Sequence, residues 1–137
     1  MGVRHGSDGR PLPWPNPTTA PFFEAARRHE LVLQRCPRDG FFFYPRSRCP
    51  TCLGADWSWT PVSGSGHVHS FTIDRVGHVP ALRKLAPYAV AIVELDEGPR
   101  LTARLVDCDP DALKVGMRVT ASYEDVEDAT LVHFRPA

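Results

Sequence analysis

The chain has 137 residues, a length that suits one domain with an appendage rather than two full domains. Its 16 basic and 16 acidic residues give a formal net charge of zero, which argues against a general electrostatic affinity for nucleic acid. No apolar run approaches the roughly 20 residues of a membrane span, and the polar, Pro- and Gly-rich start is not typical of a secretion signal.

Changes in composition divide the chain into three parts. Residues 1–16 are expected to be a polar tail or linker, residues 17–62 a helix followed by a cysteine-rich segment, and residues 63–137 a β-rich domain. Three of the four cysteines cluster within one short segment, which is not the spacing of a secreted disulfide framework. We therefore expect a reducing, cytoplasmic location.

The first predicted element is a short helix. Thr18 or Thr19 can cap it and Pro21 suits its first turn, so the pattern predicts a helix over about residues 21–30. Phe22 and Phe23 either cover the rest of the domain or dock on a partner.

The next segment contains two turns of the same plan. In each, a cysteine is followed by Pro, a tight turn and a second candidate ligand, with Gly at or just after the turn: Cys36 is paired with Asp39, and Cys49 with Cys52. Strand-like sequences flank the turns: LVLQRC before the first, FFFYP after it, and a third strand after the second turn. This arrangement predicts a zinc ribbon.

Asp39 stands where a fourth cysteine would complete the site. Zinc accepts carboxylate oxygen, so a site of three thiolates and one carboxylate is chemically allowed. Alternatively, Asp39 hydrogen-bonds within its own turn. The three thiols are then free, or a metal takes water or His29 as its fourth ligand. A redox role for Cys49 and Cys52 is disfavoured, because no helix pattern begins at Cys49 to lower its pKa.

The C-terminal part reads as five strands. A long alternating strand over residues 68–75 is predicted to place Val68, Ser70 and Thr72 on one face and Phe71 and Ile73 on the other. A hairpin over residues 88–106, a helical turn capped by Asp109, and two further strands around the acidic sequence EDVEDA follow. The predicted fold class is therefore mainly β, with the helix and zinc ribbon preceding a five-stranded OB-fold barrel.

An OB-fold alone would point to single-stranded nucleic acid, which is the alternative function. Binding of that kind needs a basic groove with aromatic platforms. The last three strands carry as many acids as bases, and their aromatic residues fit a core better. Titration with CoA and with a labelled oligonucleotide would separate the two functions.

The order of LQRCPRDGFFFYPRSRCPTC, GHVHSFTIDR, PYAVAIVELDEGPRLTARL, DPDALKVGMRV and HFRPA resembles the acyl-CoA-associated OB-fold family with an N-terminal rubredoxin-like zinc ribbon. The resemblance runs from about residue 17 to the C-terminus, and Asp39 departs from the family's usual Cys. It implies a non-catalytic accessory subunit that helps to hold a CoA ester. The implied partner is a thiolase-fold, lipid-transfer-protein-like aldolase or thiolase in a hetero-oligomer, with a hot-dog hydratase fused or associated in some members. Cleavage of a hydroxyacyl-CoA, including that of a sterol side chain, is the implied reaction of the complex.

The residues themselves agree with an accessory role, since they show no nucleophile and base pair, phosphate loop or carboxylate pair. A metal held by four protein ligands has no open position, so the zinc is expected to be structural. Arg75, Arg83 and Lys84 lie in the longest connection of the barrel and are the candidate CoA-binding cations. The candidate partner interface contains Phe22 and Phe23 and the outward side chains of the aromatic run. Because side chains alternate along a strand, these outward residues are either Phe42 and Tyr44 or Phe41 and Phe43.

Overall fold

A computed structural model describes residues 4–137. Within this range the chain forms a small hairpin, one α-helix, a three-stranded sheet and a closed five-stranded barrel. The predicted class, a mainly β protein with a ribbon followed by an OB-fold barrel, is confirmed.

The N-terminal hairpin was not expected. Strands β1 (Arg4–His5) and β2 (Pro11–Leu12) pair where a polar tail or linker was predicted. The hairpin rests on the barrel because Leu12 is buried and the Arg10 guanidinium donates to both carboxylate oxygens of Glu124, at 3.2 and 2.9 Å. Ion pairs from Arg4 and Arg10 also hold this segment against the barrel, and polar composition alone does not predict them.

Helix α1 spans Ala20–Arg27 and is shorter than predicted. The backbone N–H groups of Arg28 and His29 donate to the carbonyls of Ala25 and Ala26, and His29 has a φ of 58°. This left-handed residue ends the helix in the manner of a C-terminal cap. The helix buries Ala25 and Ala26 and contacts both the ribbon and the barrel.

The ribbon is a sheet in which β3 (Val32–Cys36) lies between β4 (Gly40–Phe42) and β5 (Ser58–Pro61). The buried Gln34 side chain holds the loop after β4: its Nε2 donates to the Arg46 carbonyl at 2.6 Å, and its Oε1 accepts from the Arg46 N–H at 2.9 Å. Strand β4 ends at Phe42, so the predicted alternation does not extend to Tyr44.

The barrel consists of β6 (Ser65–Asp74), β7 (Tyr88–Leu95), β8 (Arg100–Leu105), β9 (Arg118–Val126) and β10 (Ala129–Pro136). Its strand order is β10-β8-β7-β6-β9, and β9 pairs with β10 to close the barrel. A single 3-10 turn over Pro110–Ala112 precedes β9, and the Asp109 side chain caps it by accepting the Asp111 N–H, as predicted.

A β-bulge corrects the predicted faces of the first barrel strand. The register with β7 shifts between Val68 and Ser70, so His69 is the extra residue. Before the bulge Val68 is fully buried, and after it Phe71 and Ile73 pack against the same core. Simple alternation had placed Val68 on the opposite face from these two side chains.

The ribbon and the barrel share one hydrophobic core. Leu31 and Leu33 at the start of the ribbon pack with Val68, Val93 and Phe134 of the barrel. A second, smaller cluster joins Cys36, Cys49 and Phe42 inside the ribbon. The candidate ligands therefore lie at the end of the ribbon away from the shared core.

Candidate metal centre and adjoining cavities

The two turns of the ribbon bring the four predicted ligands together. One ligand atom from each of Cys36, Asp39, Cys49 and Cys52 lies within 4.8 Å of the others. The Cys36 and Cys52 Sγ atoms are 3.7 Å apart, and Asp39 Oδ2 lies 3.6 Å from Cys36 Sγ and 3.4 Å from Cys49 Sγ. The sulfurs of Cys36 and Cys52 are thus too far apart for a disulfide and close enough to share an ion.

These distances fit a tetrahedral zinc ion. Zinc–sulfur bonds of about 2.3 Å and zinc–oxygen bonds of about 2.0–2.2 Å imply ligand separations of about 3.8 Å between sulfurs and about 3.5 Å between sulfur and oxygen. The observed 3.7 Å and 3.4–3.6 Å agree with both. Asp39 directs its carboxylate at the thiols, which is the arrangement that direct ligation requires.

Local backbone geometry holds the second turn. The Cys49 N–H donates to the Gly54 carbonyl at 3.0 Å, and the Leu53 N–H donates to the Cys49 carbonyl at 2.9 Å. Leu53 adopts a φ of 60°, and in the first turn Gly40 adopts 84°. The Trp57 indole donates to the Ser47 carbonyl at 2.9 Å and ties the turn to the strand that follows.

The turns also affect protonation of the ligands. The backbone N–H of Cys52 lowers the pKa of the Cys49 thiol, and hydrogen bonding from Cys52 lowers the pKa of the Asp39 carboxyl. The Gly54 N–H lowers the pKa of the Cys52 thiol, but the Asp39 carboxylate, burial and the other sulfurs together outweigh it and raise that pKa to about 11. A metal ion must displace the Cys52 proton to bind.

His29 lies outside this cluster. Its ring stacks on Tyr123 with centroids 5.1 Å apart, and its Nε2 is 3.0 Å from an Asp125 carboxylate oxygen. The imidazole therefore joins the end of α1 to β9, and the hypothesis that it supplies a fourth ligand is wrong.

The predicted interface aromatics are only partly brought together. Phe22, Phe23 and Tyr44 line one apolar groove of about 490 Å³ between α1, the ribbon and the barrel. Phe42 does not: it is 7% exposed and packs inside the ribbon beside Cys36 and Cys49. Phe43 takes its place in the groove, with its ring centroid 5.5 Å from that of Phe22.

The predicted CoA-binding cations do not converge. Arg75 donates to an Asp111 carboxylate oxygen at 2.9 Å, and Arg83 donates to the Gly77 carbonyl at 3.3 Å. Lys84 lines a different cavity from Arg75. The three cations point to different places although they share one loop. Asp74 fixes the first turn of that loop by accepting hydrogen bonds from the N–H groups of Val76 and Gly77.

Sequence reasoning missed a polar cavity of about 560 Å³ that Lys84 lines together with Arg104 and His133. His133 is buried on β10 and contacts a Glu124 carboxylate oxygen at 2.9 Å. Alternation along RLTARL could have placed Arg104 outside the barrel core. Its meeting with Lys84 and His133 depends on tertiary packing.

The described structure defines a protein in which a zinc-ribbon sheet is joined to an OB-fold barrel. The family descriptions "ChsH2, rubredoxin-like zinc ribbon domain" and "ChsH2, C-terminal OB-fold domain" match residues 23–58 and 59–124. The chain belongs to this ChsH2 family, as its sequence resemblance indicated.

Named relatives differ in length. A probable enoyl-CoA hydratase alpha subunit of Thermomonospora curvata is 38% identical over 130 residues, covering 93% of this chain. This chain spans only 40% of that relative's length. A DUF35 domain-containing scaffold protein of Methanothermobacter thermautotrophicus is 36% identical over 104 residues, covering 74% of this chain and 77% of the relative.

A solved structure described as an Ltp2-ChsH2(DUF35) aldolase contains a similar chain. The TM-score is 0.80 at 37% sequence identity, and the match covers 90% of this chain and 98% of the other. Among the described residues, no helix has the length and apolar character needed to cross a bilayer.

Proposed function

We propose that the chain is a non-catalytic subunit that assembles with a thiolase-fold acyl-CoA enzyme and helps to hold its CoA ester. The likeness to a chain of the Ltp2-ChsH2(DUF35) aldolase carries this proposal, because it extends over nearly the whole of both chains. Carbon–carbon cleavage of a hydroxyacyl-CoA by retro-aldol chemistry is the preferred reaction of the complex, with a sterol side chain as one candidate substrate. The relative named as a hydratase subunit supports a hydratase as an additional component.

The metal centre has a structural role in this proposal. Cys36, Asp39, Cys49 and Cys52 would hold zinc, which would supply a cross-link between the two turns. Four protein ligands leave no position for a substrate, so chemistry takes place on the partner. The predicted units, residues 17–62 and 63–137, would then serve assembly and ligand contact together.

The apolar groove is the proposed partner surface. Tyr44 is 52% exposed, and its hydroxyl accepts the Thr102 N–H of β8 at 3.4 Å, which holds the ring at the rim. Phe22 and Phe23 form the floor with their centroids 5.2 Å apart. Exposed aromatic residues around a concave apolar surface are typical of protein interfaces.

Co-expression of this chain with a candidate thiolase-fold acyl-CoA enzyme of the same organism tests the proposal. We expect size-exclusion chromatography to give one complex with one copy of this chain per enzyme subunit, and cleavage activity only in that fraction. Tyr44→Ala with Phe23→Asp should separate the two proteins. Val115→Asp, at a residue 67% exposed outside the groove, is the control and should leave the complex intact. Activity in this chain alone, or full activity in the partner without it, would overturn the proposal.

A further inference from the structure

Two cavities of opposite character meet at one wall. The apolar groove, of about 490 Å³, is lined by side chains such as Phe22, Leu101 and Leu131. The polar cavity, of about 560 Å³, is lined by Lys84 and Ser122 among others. Arg104 and His133 line both. The two cavities therefore adjoin at these side chains and provide an apolar arm and a polar arm, each within the ~300–1,000 Å³ typical of ligand sites.

Charge in the polar arm is unevenly paired. Asp8 and Glu124 line it, but both are paired with Arg10. The Arg10 Nε donates to Asp8 at 2.6 Å, and its two terminal nitrogens donate to Glu124 at 3.2 and 2.9 Å. Asp107, the third carboxylate that lines it, is an exposed residue. Lys84 and Arg104 form no ion pair with any residue between 4 and 137. These two cations are available to a ligand.

Arg104 also has an unmet hydrogen bond. Its Nε atom is buried and contacts no acceptor in the described part of the chain. A buried donor without an acceptor is uncommon, but this atom has almost no accessible surface, so a ligand would meet the guanidinium through the parts of Arg104 that line the cavities. The guanidinium is held near the Tyr88 ring, 5.9 Å from its centroid, and the Tyr88 hydroxyl donates to Asp74 at 2.8 Å. The cation is thus positioned before any ligand arrives.

We propose that the adjoining cavities bind an amphipathic anion: a phosphate or carboxylate at Arg104 and Lys84, and an attached apolar chain along the groove beside Phe22, Leu101 and Leu131, where the proposed partner would close over the bound chain. Arg104 lies at the boundary and fixes where the anionic group of the ligand ends and its chain begins. Arg75 and Arg83 have no part in this site, since Asp111 and the Gly77 carbonyl engage them. Identifying the anion as a phosphate of the shared CoA ester rests on the proposed function; the anion site itself does not.

Calorimetric titration of the full chain tests the site with four probes: decyl phosphate, decanoate, decanoyl-CoA and inorganic phosphate. We expect the chain-bearing probes to bind more tightly than inorganic phosphate. Arg104→Gln should weaken them by about tenfold or more, equivalent to about 1.4 kcal/mol, while Arg104→Lys retains part of the affinity. Leu131→Asn should weaken decyl phosphate and leave inorganic phosphate unchanged. Arg75→Gln is the matched control and should bind every probe as the unaltered chain does.

The probes identify the ligand and the variants identify the site. Tight binding of decanoate favours a carboxylate ligand, whereas preference for decyl phosphate and decanoyl-CoA favours a phosphate ester; either outcome supports the site. Undiminished binding by Arg104→Gln, at an unchanged thermal midpoint, would overturn it, as would the absence of binding by all probes. Assembly with the partner is measured separately by size exclusion, so loss of ligand binding with intact assembly leaves the proposed function standing.

Discussion

We expect Asp39 to determine how tightly the ribbon binds zinc. Its carboxylate lies 3.4 Å from Cys49 Sγ and takes the place of a softer thiolate, for which zinc has a stronger preference. We predict that Asp39→Cys tightens zinc binding and that Asp39→Ala weakens it by more than about tenfold, since even loss of an outer-shell partner costs about 10–100-fold. Competition with a chromophoric chelator measures both.

Asp56→Ala is the control for this prediction, because it removes an exposed carboxylate of the same segment that is outside the ligand cluster. Equal zinc affinity in Asp39→Ala and Asp56→Ala would show that Asp39 does not ligate the ion.

His133 and Glu124 make stability depend on acidity. Burial lowers the pKa of His133 below its ordinary 6.5, although Glu124 opposes this and Arg104 and Arg10 add to it. Arg10, followed by His133, lowers the pKa of Glu124 below its ordinary 4.5. The pKa of each group is lower in the folded state than in the unfolded chain. Each group's contribution to the free energy of unfolding is therefore complete above its ordinary pKa and is lost as the pH falls through its folded-state pKa.

We therefore predict that the free energy of unfolding falls on acidification from about pH 6.5 and falls further below about pH 4.5. His133→Gln should remove the first part of this dependence and keep the second. Urea denaturation over a pH series measures it, with His69→Gln, an exposed position on β6, as control. An unchanged slope between these values in His133→Gln would contradict the prediction.

At the scale of elements, Gly66 sets the spacing of β6 and β7. A Cβ atom at this position would clash with the Glu94 carbonyl oxygen, which belongs to the backbone and cannot rotate aside. We predict that Gly66→Ala destabilises the chain by about 1–3 kcal/mol or more, the cost of overpacking, as measured by chemical denaturation. Thr72→Ala, exposed on the same strand, should change stability far less. A Gly66→Ala chain as stable as Thr72→Ala would contradict this spacing.

Elements with strong periodicity were predicted well from sequence. The predicted β7–β8 hairpin over residues 88–106 and the observed strands Tyr88–Leu95 and Arg100–Leu105 agree closely, because alternating apolar residues flank an evident turn. The bulge at His69 was not predictable, since an extra residue leaves no mark on composition. The early end of β4, which leaves Tyr44 in the groove with Phe43, was not predictable for a related reason: Gln34 holds the loop after β4 by binding Arg46 across the ribbon.

The candidate sites divide along the same line. Spacing alone predicted which four candidate ligands lie together, because all of them come from two local turns. The Arg104 surface draws on the N-terminal segment, the helix, the ribbon, the loop after β6 and several barrel strands, which only the closed barrel brings together. Local sequence therefore predicts sites built from turns better than sites built from packing.

At the scale of the whole molecule, the ribbon and the barrel should unfold together. Leu31 and Leu33 belong to the barrel core, so loss of the ribbon exposes that core to water. We predict that chelating zinc lowers the unfolding midpoint of both parts in a single transition.

Two spectroscopic signals separate the two parts. In a Trp14→Phe chain, fluorescence of Trp57 and Trp59 reports on the ribbon and its adjoining strand, while far-UV circular dichroism reports mainly on the barrel. The fluorescence and circular dichroism signals should follow the same unfolding curve as each other, both without chelator and, at a lower midpoint, with it. Cys108→Ser, a cysteine outside the cluster, should respond to chelator as the unaltered chain does. A ribbon signal lost on chelation while the barrel midpoint stays fixed would show that the two parts are independent.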